Sequence, residues 1–315
     1  MQKVIITGAA GFCARHLVSR LRRTESVFIY GTDIGKAKPD NMSLDSYCQV
    51  DITDPEQVKE LIRQFRPDWI FHLAGLVGNA NDADIYRVNV SGTINLLDAY
   101  CRFAPEASLL LVGSAAEYGS VTSDLLPVTE ELVCKPVGAY GISKYAVTMA
   151  GLDLASRHNK KIVIARPFNI IGPGISSNLV LGAILNRIKL ALTSQVAPVV
   201  KIGNVASARD FIAVEDVVDA YVRMIKGNFW GKIFNICSGQ PYTIQSLIDK
   251  LVNISTRQIA FEIDPGLYRS TDPPIFYGSC EKARLAFNFN PNVSIESALA
   301  SAWNYVIKEV ENCEL

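Results

Sequence analysis

The stretch VIITGAAGFCARHL, residues 4–17, decides the fold, because a short apolar run passes through a glycine-rich turn into helical periodicity. Gly8, Gly11 and Ala14 stand at three-residue spacing. In such a turn the early glycines allow a tight bend and a close approach of the backbone to a pyrophosphate, and the last small residue lets helix pack on strand. Amides at the helix start then face the phosphates. The pattern predicts a dinucleotide site that includes Phe12 and Cys13, although a turn without a ligand remains an alternative.

Apolar runs that alternate with helical segments continue through the first half of the chain. They are KVIITG, VFIYGTD, YCQVD, WIFHLAG, SLLLVGS and KIVIARPFN. Strands that are apolar without alternation are buried on both faces, as parallel sheets require. Six such strands with helical crossovers predict an α/β fold with a doubly wound parallel sheet of the Rossmann type.

Length and charge narrow the class of protein. The chain has 315 residues, 49% of them hydrophobic, which exceeds the size at which one core usually stops growing, so two lobes are expected. Lys plus Arg and Asp plus Glu number 31 each, which leaves no positive field for nucleic acid or anionic lipid. The N-terminus lacks the apolar core of a signal peptide, and no apolar run approaches the length of a membrane span.

The cysteines and histidines do not form the pattern of a disulfide framework or a metal site. Seven cysteines are scattered without a C-x-x-C pair, and the three histidines are not spaced as metal ligands. We therefore expect no metal and a reducing, cytoplasmic compartment. The cysteines are Cys13, Cys48, Cys101, Cys134, Cys237, Cys280 and Cys313.

Two acidic residues close predicted strands near the adenosine half of the dinucleotide. Asp33 follows the glycine-rich turn by roughly twenty residues, where a carboxylate accepts hydrogen bonds from the ribose. A carboxylate there repels a 2′-phosphate, so NAD(H) is favoured over NADP(H). Asp51, followed by Ile52, fits an adenine neighbour and a helix cap region equally well. NADP(H) stays possible because nearby basic residues can supply counter-charge: Arg15, Lys36 and Lys38.

The stretch AYGISKYA, residues 139–146, places Tyr140 four positions ahead of Lys144. Residues four apart share one face of a helix, so the ammonium group can lie beside the edge of the phenol ring. Taken alone, the pair fits a core aromatic beside a surface charge as well as a catalytic pair.

Seven motifs appear in a fixed order: TGAAGF, HLAG, VNVSGTINLL, VGSAAEYG, YGISK, RPFNIIGPG and RDFIAVEDVVDA. Through these motifs, which are spread along essentially the whole chain, the sequence resembles the extended short-chain dehydrogenases/reductases that act on nucleotide sugars. The resemblance implies a cofactor domain at residues 1–166, to which 207–238 return. It also implies a smaller C-terminal α/β lobe, formed by 167–206 and 239–315, for a nucleotide-sugar substrate. A homodimer joined through helices near 85–103 and 140–158 is likewise implied.

The resemblance assigns the catalytic roles to Ser114, Tyr140 and Lys144. A free tyrosine titrates near ~10, and one nearby cation shifts a group by about 1 to 3 units. Lys144 is therefore expected to act together with the positive nicotinamide of an oxidised cofactor. The Ser114 hydroxyl would bond the substrate oxygen as charge develops on it.

The resemblance also assigns contacts to the cofactor and the substrate. Residues of HLAG border the cofactor, the asparagine of VNVSG lies beneath it, and RPFN lines the nicotinamide pocket. The cofactor residues are Leu73, Ala74, Gly75, Asn89, Pro167 and Phe168. The substrate candidates, the last three of them for the diphosphate, are Asn169, Asn178, Arg209 and Arg269.

The residues after Ser114 bear on the reaction. Dehydratases of this family carry an acidic pair there, because elimination of water needs an extra acid and base. Ala115 and Ala116 cannot move a proton, and a continuing strand would turn Glu117 to the other face. A 4-ketoreductase and a 4-epimerase remain. Similarity to GDP-4-keto-6-deoxy-mannose reductases favours the reductase and a GDP-sugar, and a non-enzymatic dinucleotide sensor is a third alternative.

Overall fold

A computed structural model of the chain describes residues 1–39, 42–78, 80–193, 199–255, 259–267 and 274–311. The strands are β1 (Gln2–Thr7), β2 (Val27–Asp33), β3 (Ser46–Gln49), β4 (Trp69–His72), β5 (Ser108–Val112), β6 (Ile162–Pro167), β7 (Asn169–Ile171), β8 (Val199–Ile202), β9 (Ala208–Ala213), β10 (Ile233–Ile236), β11 (Pro241–Thr243), β12 (Ala260–Ile263) and β13 (Ile275–Phe276). The helices are α1 (Phe12–Thr24), α2 (Pro55–Phe65), α3 (Asp82–Ile85), α4 (Gly92–Phe103), α5 (Gly138–His158), α6 (Val180–Thr193), α7 (Val214–Lys226), α8 (Ile244–Ile254), α9 (Glu281–Phe287) and α10 (Ile295–Glu311).

The first sheet has seven parallel strands in the order β10-β6-β5-β4-β1-β2-β3. The six apolar runs correspond to β1 through β6, so the predicted doubly wound parallel sheet is confirmed. The chain order reverses between β1 and β4. A crevice therefore opens beyond the carboxyl ends of these two strands, where open α/β sheets bind their ligands.

Both faces of the first sheet are covered by helices. Val4 and Ile6 of β1 pack in one core cluster with residues of α1 and α7, whereas Ile5 packs in the opposite cluster with residues of α2 and α4. All three side chains are fully buried. Burial on alternate faces explains why β1 is apolar at each of these consecutive positions.

A second sheet and its helices form a second, smaller lobe. Strand β9 pairs with β7, β11 and β13, and a separate pair joins β8 to β12. Helices α6, α8 and α10 supply a core around Leu185, Leu247 and Trp303. Within 207–238, the segment expected to return to the cofactor domain, β9 belongs to this second sheet, whereas β10 joins the first sheet and α7 packs against it.

Asp210 links the two sheets. Its side chain is fully buried in β9, and its Oδ1 accepts hydrogen bonds from Ser238 N at 2.8 Å and Ser238 Oγ at 2.7 Å. Its Oδ2 accepts from Gly239 N at 2.9 Å. The carboxylate thereby fixes the chain that leaves β10 against the second sheet.

Three properties of the described residues bear on alternative functions. None of their helices is both long and apolar enough to cross a bilayer. No group of three or more His, Cys, Asp or Glu side chains among them is arranged to hold a metal ion. Their six cysteines are free thiols, and Cys313 lies outside the described residues.

Candidate active site

The glycine-rich turn lies at the carboxyl end of β1 and touches the loop after β4. Gly8 has a φ of 68°, and a Cβ built there would stand 2.7 Å from Ala74 N and 2.9 Å from Leu73 C. Only glycine fits that close approach. Gly11 then begins α1 without a side-chain cap, so the first amides of the helix are suited to phosphate oxygens. The turn therefore fits the pyrophosphate of a dinucleotide.

Asp33 stands at the end of β2 and faces this turn. Its Oδ2 accepts a hydrogen bond from Ala10 N at 2.9 Å, and its Oδ1 accepts one from Ile34 N at 2.8 Å. Two of the candidate counter-charges are bound elsewhere: Arg15 Nη1 donates to the Tyr305 hydroxyl at 3.1 Å, and Lys38 Nζ donates to the carbonyl of Leu44 at 2.8 Å. With two of the three candidate counter-charges bonded to other groups, the Asp33 carboxylate supports the preference for NAD(H).

Asp51 has local partners. Its Oδ1 accepts hydrogen bonds from the Thr53 amide at 2.9 Å and the Thr53 hydroxyl at 2.8 Å, which stabilises the turn before α2. Ile52 is buried and packs on Gly92 at the start of α4. The adenine contacts expected of Asp51 and Ile52 stay predictions.

Ser114, Tyr140 and Lys144 are brought close together by β5 and α5. Ser114 follows β5, and its side chain lies close enough to the phenol of Tyr140, in the first turn of α5, to lower the pKa of that phenol. Lys144 lies one helical turn later, and its Nζ donates to the carbonyl of Val112 at 2.9 Å. A Cβ on Gly75 would be 3.5 Å from that Nζ. The three groups therefore lie beside the loop that borders the glycine-rich turn.

Burial controls the charge of this trio. Burial raises the pKa of Tyr140 above its usual value, and the hydrogen bond from Ser114 offsets this only in part. Burial also lowers the pKa of Lys144 to about 8. Protein groups thus favour a neutral phenol, so the expected lowering of the pKa of Tyr140 depends on the charge of a bound nicotinamide.

Asn89 supports the site from beneath. It is 1% exposed, its Oδ1 accepts from Leu76 N at 2.7 Å, and its Nδ2 donates to Ser143 Oγ at 3.0 Å. Ser143 Oγ in turn donates to the backbone carbonyl of Tyr140 at 2.8 Å. Asn89 therefore joins the loop after β4 to the helix that carries Tyr140.

The RPFN segment forms one wall of the cleft. Pro167 ends β6, and Phe168 is 5% exposed and stacks on Phe276 with ring centroids 5.5 Å apart. Asn169 is exposed in β7, and its Nδ2 donates to the carbonyl of Asp210 at 2.8 Å. These positions agree with an apolar nicotinamide pocket that has one polar residue on the side of the second sheet.

Two of the candidate diphosphate contacts, Asn178 and Arg209, lie on the second lobe. Asn178 is exposed, and its Cβ is 2.7 Å from the place where a Cβ on Gly78 would stand. Asn178 therefore packs against the loop after β4. Arg209 is half-buried in β9, and its Nη1 donates to the carbonyl of Ala208 at 2.8 Å. Arg269 lies outside the described residues.

The prediction that a continuing strand carries Glu117 to the other face is wrong, because the strand does not continue past Val112. Strand β5 ends at Val112, and Ala115–Tyr118 form a 3₁₀ turn. Glu117 points inward from that turn and pairs with Arg166, whose guanidinium is also buried. The sequence analysis did not predict this ion pair. The signal for it was Arg166, an arginine within the apolar run KIVIARPFN, because a buried arginine requires a partner.

A doubly wound sheet with a glycine-rich turn at its switch point, and a serine, tyrosine and lysine beside it, is suited to dinucleotide-dependent oxidoreduction. This chain belongs to the NAD dependent epimerase/dehydratase family, whose model matches residues 4–237. The family resemblance predicted from the motifs is therefore confirmed.

Two curated relatives and one solved structure match nearly the full chain. The chain is 28% identical over 315 residues to the GDP-6-deoxy-D-mannose reductase of Pseudomonas aeruginosa, covering 98% of this chain and 99% of that protein. It is 29% identical over 284 residues to the GDP-6-deoxy-D-talose 4-dehydrogenase of Aggregatibacter actinomycetemcomitans, covering 89% of each. The structure of RMD from Pseudomonas aeruginosa complexed with NADPH matches with a TM-score of 0.85 at 26% identity, covering 98% of this chain and 100% of that chain.

Proposed function

We propose that the protein is an NAD(P)H-dependent 4-ketoreductase of a nucleotide-activated 4-keto-6-deoxy sugar, with a GDP-sugar favoured. The observation that carries the proposal is the contact between Ser114 and the neutral phenol of Tyr140 beside Lys144. The similarity to a GDP-6-deoxy-D-mannose reductase and a GDP-6-deoxy-D-talose 4-dehydrogenase supports the substrate class. Ala115 and Ala116 supply no acid or base for a dehydratase.

The chain's own residues would act on the sugar carbonyl as follows. A bound reduced nicotinamide supplies a hydride to C4 of the sugar. The Ser114 hydroxyl donates a hydrogen bond to the carbonyl oxygen, and Tyr140 gives its phenolic proton to that oxygen as it becomes an alkoxide. Lys144 then stabilises the phenolate through its positive charge.

The substrate would lie between the lobes. We assign the nucleotide sugar to the lobe formed by 167–206 and 239–315 together with β9, with Asn169, Asn178 and Arg209 facing the cleft. Arg209 suits a diphosphate because its guanidinium can donate two parallel hydrogen bonds. We also expect the protein to occupy a reducing cytoplasm, because the cysteines of its described residues are free thiols.

The test is reduction of GDP-4-keto-6-deoxy-D-mannose by purified protein, followed as the loss of absorbance of NADH or NADPH. We expect turnover with both cofactors and a GDP-6-deoxyhexose as the product. Absence of turnover with either cofactor, in protein that binds them, would contradict the proposal.

A 4-epimerase is the second candidate, favoured by Asp33, whose carboxylate suits NAD, and by the family that the chain belongs to. An epimerase regenerates its cofactor in each cycle and so retains it. Denaturing the purified protein and measuring released NAD by mass spectrometry distinguishes the two, because a stoichiometric amount of NAD favours the epimerase.

A further inference from the structure

A buried carboxylate holds the backbone of the proposed catalytic serine. Glu117 is fully buried, and its Oε1 accepts a hydrogen bond from Ser114 N at 2.8 Å. In return, Ser114 Oγ accepts from Ala116 N at 3.1 Å, which completes a capping box around the 3₁₀ turn. A Cβ on Gly113 would stand 2.2 Å from Glu117 Oε1, so a glycine at that position leaves room for the carboxylate.

The same carboxylate oxygen bonds the helix that carries the other two catalytic groups. Glu117 Oε1 accepts from the Thr148 hydroxyl at 3.1 Å, and Thr148 is fully buried. Thr148 follows Lys144 by one helical spacing of four and Tyr140 by two, so the three share one face of α5. One oxygen atom therefore connects the serine backbone to the tyrosine helix.

The charge of Glu117 is balanced by β6. Arg166 Nη2 and Nε lie 2.7 Å and 3.2 Å from Glu117 Oε2, and the Arg166 side chain is 2% exposed. The guanidinium also lies over the ring of Tyr118, 4.6 Å from its centroid. Buried ion pairs stabilise a fold poorly, because both ions lose their hydration. Control of geometry is a better explanation for this pair than stability.

We propose that Glu117 is a positioning residue, whose carboxylate bonds Ser114 N and the Thr148 hydroxyl together and so fixes the serine hydroxyl against the Tyr140 phenol. The proposal rests on the reductase function proposed above. It predicts two separable effects, one on geometry through Thr148 and one on charge through Glu117.

The geometric effect is tested with Thr148→Val, which keeps the side-chain volume, the ion pair and the bond to Ser114. We expect kcat for NADPH-dependent reduction of GDP-4-keto-6-deoxy-D-mannose to fall roughly tenfold, since catalysis depends on orientation. KM and NADPH affinity stay unchanged, and Thr148→Ser restores kcat. Tyr100→Phe is the matched control, because it removes another buried hydroxyl, which donates to the carbonyl of Ala107, and we expect it to keep kcat.

The charge effect is tested with Glu117→Gln. The negative charge of Glu117 raises the pKa of Tyr140 and that of Lys144, so its removal lowers both. The alkaline limb of the pH profile should move to lower pH, whereas Thr148→Val leaves it in place. Six other titratable groups face this cluster, and the variant retains all of them: Cys13 of α1, His72 of β4, Tyr118 of the 3₁₀ turn, Cys134, Arg166 of β6 and Tyr221 of α7.

The proposal is overturned if Thr148→Val loses no more kcat than Tyr100→Phe, or if Thr148→Ser fails to restore it. If the wild-type protein does not reduce this substrate, the proposed function alone has failed. The charge effect of Glu117 is then measured from the titration of the Tyr140 phenol, as the absorbance difference between each protein and the same protein that carries Tyr140→Phe. An unchanged midpoint in Glu117→Gln overturns the proposal there as well.

Discussion

At the scale of single residues, Tyr140 is prepared to donate a proton. Burial keeps the phenol neutral, and Ser114 holds its oxygen. A neutral phenol suits the reduction of a ketone, in which the alkoxide receives a proton. Oxidation, which an epimerase also performs, needs the phenolate and hence the positive charge of an oxidised nicotinamide.

Tyr140→Phe removes that proton donor and little else. We expect kcat to fall by roughly 10²–10⁴-fold, the usual range for loss of a general acid, with cofactor affinity unchanged. Steady-state rates and NADPH fluorescence titration measure the two quantities. A variant that keeps its rate, or a biological activity that survives without turnover, would support a dinucleotide sensor instead.

Asp33 is expected to set the choice of cofactor. Asp33→Asn removes the charge and keeps an oxygen that can accept from Ala10 N, so the turn should persist. Because a carboxylate near a 2′-phosphate repels it, we expect the ratio of kcat/KM for NADPH to that for NADH to rise about tenfold or more. A ratio that does not move in Asp33→Asn would place the 2′-position away from this residue.

At the scale of elements, the sequence predicts strands that have a periodic apolar pattern, but it does not predict side-chain pairs between residues far apart in the chain. Six apolar runs predict β1 to β6 because burial on both faces leaves a local pattern. The 3₁₀ turn after Ser114 has only four residues and leaves no such pattern. The partner of Glu117 is Arg166, 49 positions away on the next strand, and only the packing of β5 against β6 brings them together.

Strand β4 ends at a buried histidine that makes stability depend on pH. His72 Nδ1 is 2.7 Å from Thr7 Oγ1, and His72 Nε2 is 2.9 Å from Thr93 Oγ1. Burial, with a smaller effect from the charge of Lys144, lowers the pKa of His72 to about 3, below the value near 6.5 in an unfolded chain. The unfolded state therefore binds the extra proton between these values. This contribution to stability is complete above about pH 6.5 and is lost as pH falls towards 3.

His72→Gln should remove that dependence. We expect the wild-type free energy of unfolding to fall by up to about 1.4 kcal/mol more per pH unit than that of the variant between about pH 6 and pH 4. Denaturant unfolding at a series of pH values measures the difference in slope. His158→Gln, which removes an exposed imidazole, is the control and should follow the wild type. Parallel curves for wild type and His72→Gln would mean that His72 is charged in the folded state.

At the scale of the whole molecule, helices α4 and α5 of the first domain carry three exposed apolar side chains. Ile94 of α4 is 48% exposed and Met149 of α5 is 47% exposed, on the two helices implicated in a homodimer by the family resemblance. Ile142 of α5 is also 42% exposed. Helices α4 and α5 cover the same face of the sheet, so two copies related by a twofold axis would bury this patch.

The double variant Ile94→Lys/Met149→Lys tests this homodimer away from the catalytic turn of α5. Each apolar side chain buried at an interface contributes about 1.5–3 kcal/mol. Twofold symmetry counts each residue twice, which gives about 6–12 kcal/mol, so the dissociation constant should rise by about 10⁴-fold or more. Sedimentation equilibrium should show a dimeric wild type and a monomeric variant. Leu285→Lys, at a 78% exposed leucine on α9, is the matched control and should remain dimeric. A monomeric wild type would contradict the homodimer. A double variant that still dimerises would show that the interface lies on another face.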